Sequence, residues 1–307
     1  MTAQSNPQAG PQGLASEAIA ATQPMYWSVR RELWENRSIY IAPLVAAAVG
    51  MLAFLLSMIY LPNGTMGHTK HDPMPELAEL AMPYSHSAWL LMLTAFIVGV
   101  FYSLDALYGD RRDRSILFWK SLPVSDLTTV LSKASIPLAV LPLIVFAMVL
   151  ALQLPMLLLN TVALLLRGGS ASALWTHLPW FQMELTLLYS LTVIALWHAP
   201  IYGWLLLISG WARRAAFLWA VLPPLTICAF EMIAFRTSHF ASLLQHRLMG
   251  FAGRAFSFAT PVDPHFIPLT QLTPFRFLSS PELWIGLGVA AAFLAAAVRL
   301  RRYRGPI

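Results

Sequence analysis

The sequence predicts an all-α integral membrane protein with six transmembrane helices, and three observations predict it. Of 307 residues, 58% are hydrophobic and only 11% are charged, against roughly 25% charged in an ordinary soluble domain. Six separate apolar runs have the length needed to cross a bilayer, since a spanning helix takes about 20 mostly apolar residues. The 22 prolines and 11 tryptophans fit the same class, because proline is tolerated inside spans and tryptophan anchors at the interface. Together these argue strongly against a soluble enzyme. The one cysteine, Cys228, lies in an apolar run and permits neither an intrachain disulfide nor a cysteine-based metal site.

Residues 1–24 are rich in Ala, Gln, Ser, Pro and Gly and carry one charge, Glu17. A signal peptide's basic n-region and apolar h-region are both missing, so the stretch reads as a disordered cytoplasmic tail. Between Pro24 and Ser38, Tyr26, Trp27, Val29, Leu33 and Trp34 are mixed with Arg30, Arg31, Glu32, Glu35 and Arg37. Helical spacing gathers Trp27, Arg30, Arg31 and Trp34, which predicts an amphipathic helix in the membrane interface with its cations snorkelling to the headgroups. A single transmembrane domain over 25–304 contains this helix and spans at about 39–61, 87–108, 136–159, 185–209, 215–235 and 283–300. Residues 305–307 form a cytoplasmic end. Pro137, Pro142 and Pro155 in the third span, Pro200 in the fourth, and Pro223 and Pro224 in the fifth predict kinks that neighbouring helices accommodate. Hydropathy shows no clear internal repeat, which weakens a carrier built on inverted repeats.

Basic residues set the orientation. With the N-terminus inside, the cytoplasmic set is Arg30, Arg31, Arg37, Arg111, Arg112, Arg114, Lys120, Lys133, Arg213, Arg214, Arg299, Arg301, Arg302 and Arg304, or 14 of the 20. Lys70, Arg167, Arg236, Arg247, Arg254 and Arg276 make up the outer 6. This bias places both termini in the cytoplasm. It also explains the net charge of +6 without a nucleic-acid partner.

The most specific stretch is the second cytoplasmic loop, residues 103–126. A mixed-charge cluster, Asp110, Arg111, Arg112, Asp113 and Arg114, leads into the apolar turn Ile116, Leu117, Phe118 and Trp119, then Lys120, and Pro123 breaks the helix. Ser125 is placed to cap the next helix, with Asp126 in its first turn at the positive end of the dipole. The pattern describes a short helix lying across the membrane surface. Charge pattern alone is equally satisfied by an amphipathic loop that only fixes topology.

The whole layout, an amphipathic N-terminal helix, six spans, a charged helix between spans two and three and a long outer segment before span six, resembles the export-type (type-2) permeases of ATP-binding-cassette transporters. Residues 107–126 are similar to the versions in bacterial antibiotic-response and peptide-export systems. The resemblance implies a coupling helix that seats in a groove of a separate ATPase subunit, with Asp110, Arg111, Arg112, Asp113, Arg114, Lys120 and Pro123 in contact and Phe118 and Trp119 as packed anchor. It implies a second permease chain, ATP and Mg held by the partner ATPase, and a place in the bacterial cytoplasmic membrane. The cargo it favours is hydrophobic or amphipathic, such as a peptide antibiotic, drug or lipid conjugate. No GxxxxGK[ST] phosphate loop occurs in this chain, so the ATPase is another polypeptide and the chain itself carries no cofactor. The 47 residues Arg236–Glu282 are too long for a turn and too broken by Gly and Pro for a span. The resemblance implies re-entrant helices there; a folded outer loop fits the residues nearly as well.

Other polar residues carry weaker signals. His68, His71 and Asp72, near Glu76, Glu79 and His86, have zinc- or copper-ligating chemistry, but Gly67 and Pro73 flank them and a solvated loop without metal is the better reading. Glu231, in the outer half of the fifth span, is a proton site or substrate counter-charge on one reading and a structural partner within the bundle or of Arg236 on the other. His198, Gln153 and Asn160 read as interhelical polar glue. Asp105 is placed to pair with Arg30 or Arg31. Four-residue spacings of small residues, Gly288, Ala292 and Ala296 in span six and Ala42, Ala46 and Gly50 in span one, allow close helix approach. No catalytic triad, carboxylate pair or HExxH motif appears. The alternatives to a permease are a membrane anchor or sensor that uses the same loop to hold a cytosolic partner, and a proton-coupled carrier using Glu231.

The orientation gives the first prediction. In a variant lacking Cys228, single cysteines at positions 170 and 260 react with an impermeant thiol reagent on intact cells, and one at position 121 reacts only after permeabilisation. Labelling of position 121 from outside would refute the assignment.

Overall fold

The computed structural model describes residues 24–60, 73–113, 124–166, 171–257 and 267–303. Regular structure among them is helical, apart from one isolated bridge between Phe256 and Leu272. Six helices are long and apolar enough to cross a membrane: Ser38–Tyr60, Ala81–Arg112 within the helix Pro73–Arg112, Asp126–Leu166, Trp180–Trp211, Ala216–Phe235 and Pro281–Tyr303. A helix over 24–35 precedes the first span. Shorter helices, Ala171–His177, His239–Met249, Phe251–Ala255 and Pro274–Leu278, occupy the connections at the other end. The tail expected over 1–24 lies outside the described residues except Pro24, as do residues 305–307.

The third span shows how proline is absorbed. Pro137 and Pro142 lack an N–H, and between them the ladder shifts: the Leu141 N–H donates to the Ile136 carbonyl five residues back, making the π-turn Ile136–Val140. Pro155, Pro200, Pro223 and Pro224 are carried inside helices. Ser125 caps the start of the third span, its hydroxyl accepting from the Thr128 N–H at 3.0 Å, which satisfies one of the donors a helix start leaves open.

Span four is the axis of the bundle. An apolar 18-residue stretch of it is 67% buried, against 11% for that of span five, as fits a helix that is apolar on all faces where an amphipathic one would be polar on one. Gly203 allows span six to come close. A Cβ there would stand 3.2 Å from the Ala290 carbonyl oxygen, tighter than backbone contact allows without movement. The Gly288 face of span six does not make this contact. Nothing lies within 4 Å of a Cβ built at Gly288, and Ala292 is exposed. Gly50 of span one faces Leu152, Leu90 and Ser87 of its neighbours.

Apolar side chains such as Leu52, Leu158, Phe230 and Ile233 are exposed on the outer surface, an arrangement stable against hydrocarbon and a liability in water. Arg31 and Arg301 both reach Asp110, at 3.9 and 3.1 Å, so the two described ends of the chain lie together. The number of crossings is therefore even, and this end of the bundle, rich in arginine, is its basic end.

Candidate functional site

At the basic end, four segments each bring a charge to one buried point. Lys133, 1% exposed, points its Nζ 2.9 Å from Glu32 Oε1 and 3.3 Å from Asp110 Oδ1. Arg301 donates from Nη1 to Asp110 Oδ2 and from Nε to Asp126 Oδ1, both at 3.1 Å. Arg31 Nη2 donates to Glu32 Oε1 at 2.8 Å, and the Tyr102 hydroxyl donates to Glu32 Oε2 at 2.8 Å. Three acids and three bases sum to zero formal charge. That neutrality is required, because an uncompensated ion here would lose hydration worth several kcal/mol, by the general estimate of about that much per buried ion. At the rim, burial holds the Glu35 carboxyl above its usual range, opposed by Arg31 at 3.2 Å.

Asp110 and Arg111 are therefore engaged within the chain. Arg111 is buried and donates from Nη1 to the carbonyls of Gly210 at 2.7 Å and Ala212 at 3.1 Å, closing the end of span four, where helix carbonyls are otherwise unsatisfied. One step away, Ser209 Oγ accepts from the N–H groups of Leu107 and Tyr108. Arg112 and Asp113 are exposed and pair with each other at 3.0 Å, and Arg112 also meets Asp105 at 3.5 Å. Asp105 thus has Arg112 as partner, where the sequence pointed to Arg30 or Arg31. Arg30 instead lies over Trp27 and Trp34, at 5.2 and 4.8 Å from the ring centroids, a cation–π sandwich on the exposed face of the 24–35 helix. Arg114, Phe118, Trp119, Lys120 and Pro123 lie outside the described residues, as do His68, His71 and Asp72.

The other polar candidates separate into two groups. Gln153 Nε2 donates to the Tyr84 carbonyl at 3.2 Å and Asn160 Nδ2 to the Tyr84 hydroxyl at 3.0 Å, so both bind span three to span two and neither meets His198. His198 turns its two ring nitrogens to the carbonyls of Ile194 and Leu248, at 2.8 and 3.1 Å, and Trp197 Nε1 donates to the Arg247 carbonyl at 2.9 Å. These bonds fasten the helix His239–Met249 to span four. Arg247 lies over the Trp197 ring at 4.8 Å, and burial lowers its pKa. Glu231 caps the same helix. Its carboxylate accepts from the Thr237 hydroxyl at 2.9 Å and from the N–H groups of His239 and Phe240 at 2.7 and 2.8 Å.

One carboxylate escaped the sequence reading. Glu184 is 6% exposed, and neither of its oxygens has a partner among the described residues. It stands one residue outside the span predicted at 185–209, and only the extension of the helix to Trp180 brings it into the bundle. No group of three or more His, Cys, Asp or Glu placed to hold a metal ion occurs among the described residues.

The class these features define is a helical protein with six membrane-spanning candidates, built as an integral membrane protein. Comparison with protein-family models, with curated proteins and with solved structures finds no match.

Two predictions follow from the geometry. Lys133→Met strands Glu32 and Asp110 in a buried site and lowers the stability of the detergent-solubilised protein by about 3–5 kcal/mol, whereas Arg112→Ala, at an exposed pair, costs under about 1 kcal/mol. Thermal unfolding compares the two, and equal midpoints would mean that the buried charges do not hold this end together. Glu231→Gln keeps the fold, because the amide oxygen still accepts at the helix start. Glu231→Ala loses about 1 kcal/mol of capping, read as faster hydrogen exchange at His239 and Phe240.

Proposed function

We propose that this chain is the transmembrane permease subunit of an ATP-binding-cassette exporter, paired with a second permease chain and driven by a separate ATPase that holds ATP and Mg. The observation that carries the reading is the double grip of Arg301, which binds Asp110 on one side of residues 114–123 and Asp126 on the other. A segment that receives a push from a soluble ATPase must have both flanks fixed to the helices that move. Here the flanks are joined to spans two, three and six, and through Lys133 and Glu32 to the N-terminal helix. Arg112 and Asp113, exposed at the start of the segment, begin the docking surface, which continues through Arg114, Phe118, Trp119, Lys120 and Pro123.

The helix His239–Met249 supports an outer lid. Its Leu248 carbonyl meets His198, which lies thirteen residues before Trp211 and so about 20 Å from the basic end of span four at 1.5 Å per residue. A helix held that deep behaves as a re-entrant element. Closure of the ATPases would rock the two permease chains and release a hydrophobic or amphipathic cargo beyond this lid. Glu231 has a capping role, so the proton-coupled alternative gains no support from its geometry.

The test uses the full chain co-expressed with a candidate ATP-binding-cassette ATPase subunit. Reversing Arg112 and Arg114 to Glu lowers the co-purified ATPase by tenfold or more, on the scale of about 1 kcal/mol or more for each contact, and leaves the permease monodisperse. Arg111 is left intact, because its loss would open span four. Trp119→Ala retains assembly and uncouples ATP hydrolysis from cargo. Parent-like binding and stimulation in both variants would overturn the reading. Retained ATPase with no cargo-dependent hydrolysis in the parent itself would favour a membrane anchor.

A further inference from the structure

Spans four, five and six leave an apolar groove of about 290 Å³ near the basic end, walled by Trp204, Trp211, Trp219, Pro223 and Leu300. Its walls are fixed. Trp204 Nε1 donates to the Ala220 carbonyl at 3.1 Å and its ring packs against Phe293, while Trp211 and Trp219 meet edge to face at 4.8 Å. Immediately beyond Trp211 come Arg213 and Arg214, both exposed, in the turn to span five. Neither makes an ion pair with any described residue, and the sequence holds no Asp or Glu between Glu184 and Glu231. The carboxylates at the neighbouring end of span two, Asp105 and Asp113, are paired with Arg112. Arg299 and Arg302, on either side of Leu300 and Arg301, are exposed as well.

We propose that this groove holds an acyl chain of an anionic phospholipid whose phosphate is bound by Arg213 and Arg214. The occupant needs hydrocarbon against these aromatic and aliphatic walls and negative charge at one end, and an anionic lipid supplies both in one molecule. Tryptophan belongs at this depth, and arginine forks match phosphate oxygens with two parallel donors. A second copy of the chain fits less well. An isologous contact across this face would set exposed arginines with no acidic partners against their own counterparts. The inference rests on the bundle and its charge, and does not depend on the permease reading.

The full-length protein is reconstituted in vesicles of phosphatidylglycerol and phosphatidylcholine with matched chains, re-extracted in mild detergent, and its retained lipid quantified. Phosphatidylglycerol is enriched over phosphatidylcholine in the parent. Arg213→Gln with Arg214→Gln reduces that enrichment, towards a limit of roughly 30-fold for two cations near a charged headgroup. Arg236→Gln with Arg276→Gln, exposed at the opposite end, leaves it unchanged. Equal retention of the two lipids by the parent, or parent-like enrichment in the Arg213/Arg214 variant, overturns the proposal. Displacement of phosphatidylglycerol by millimolar inorganic phosphate would show a free-phosphate site and overturn it too. A changed oligomeric state in the Arg213/Arg214 variant with lipid retention intact would assign the face to a second copy instead.

Discussion

Lys133 cannot be buried unless the rest of the basic end is built around it. Its ammonium is stable only with Glu32 and Asp110 beside it, Asp110 is shared with Arg301, and Arg301 in turn takes Asp126. The partners come from the N-terminal helix and from spans two, three and six, with sequence separations of up to 191 residues. Side-chain charge in a low-dielectric site is thus used as a register device. A helix that slips by one residue moves its charge away by 1.5 Å along the axis and about 100° around it, and leaves the others uncompensated at a cost of several kcal/mol. Apolar packing alone would tolerate such slips far better, since hydrocarbon has no preferred partner within a lipid-facing bundle.

The six spans were legible because hydropathy over about 20 residues is a local property, and the cap at Ser125 because it needs only three residues of context. The inward turn of Asp110 and Arg111 was not. In sequence the run Asp110 to Asp113 is a mixed-charge patch, and such a patch reads the same whether its partners are water or residues on other helices. The helix itself separates the four, putting Asp110 and Arg111 against the bundle and Arg112 and Asp113 outside. Glu231 was ambiguous for a similar reason, since the N–H groups it accepts from belong to a helix that begins eight residues later. Glu184 failed on a boundary, because a span read as beginning at residue 185 leaves this acid, one residue earlier, in the loop.

The distribution of burial sets limits on how this molecule moves. The charge cluster ties the N-terminal helix and spans two, three and six into one body, and Arg111 adds the end of span four through two carbonyls. Span five is held differently. Its buried residues are Ala216 and Ala220, Trp204 of span four donates to its Ala220 carbonyl, and its far end is joined to the helix His239–Met249 through Glu231. It enters from a turn in which Ala215 takes a left-handed conformation at φ 49°, a shape that costs a non-glycine residue energy and persists only where its surroundings impose it. A strained turn at one end and a capped joint at the other describe a helix fixed at its termini and loosely packed along its length. Such a helix gains its lateral packing from whatever lies beside it in the membrane, and the shape of this bundle leaves that side open to lipid or to another chain.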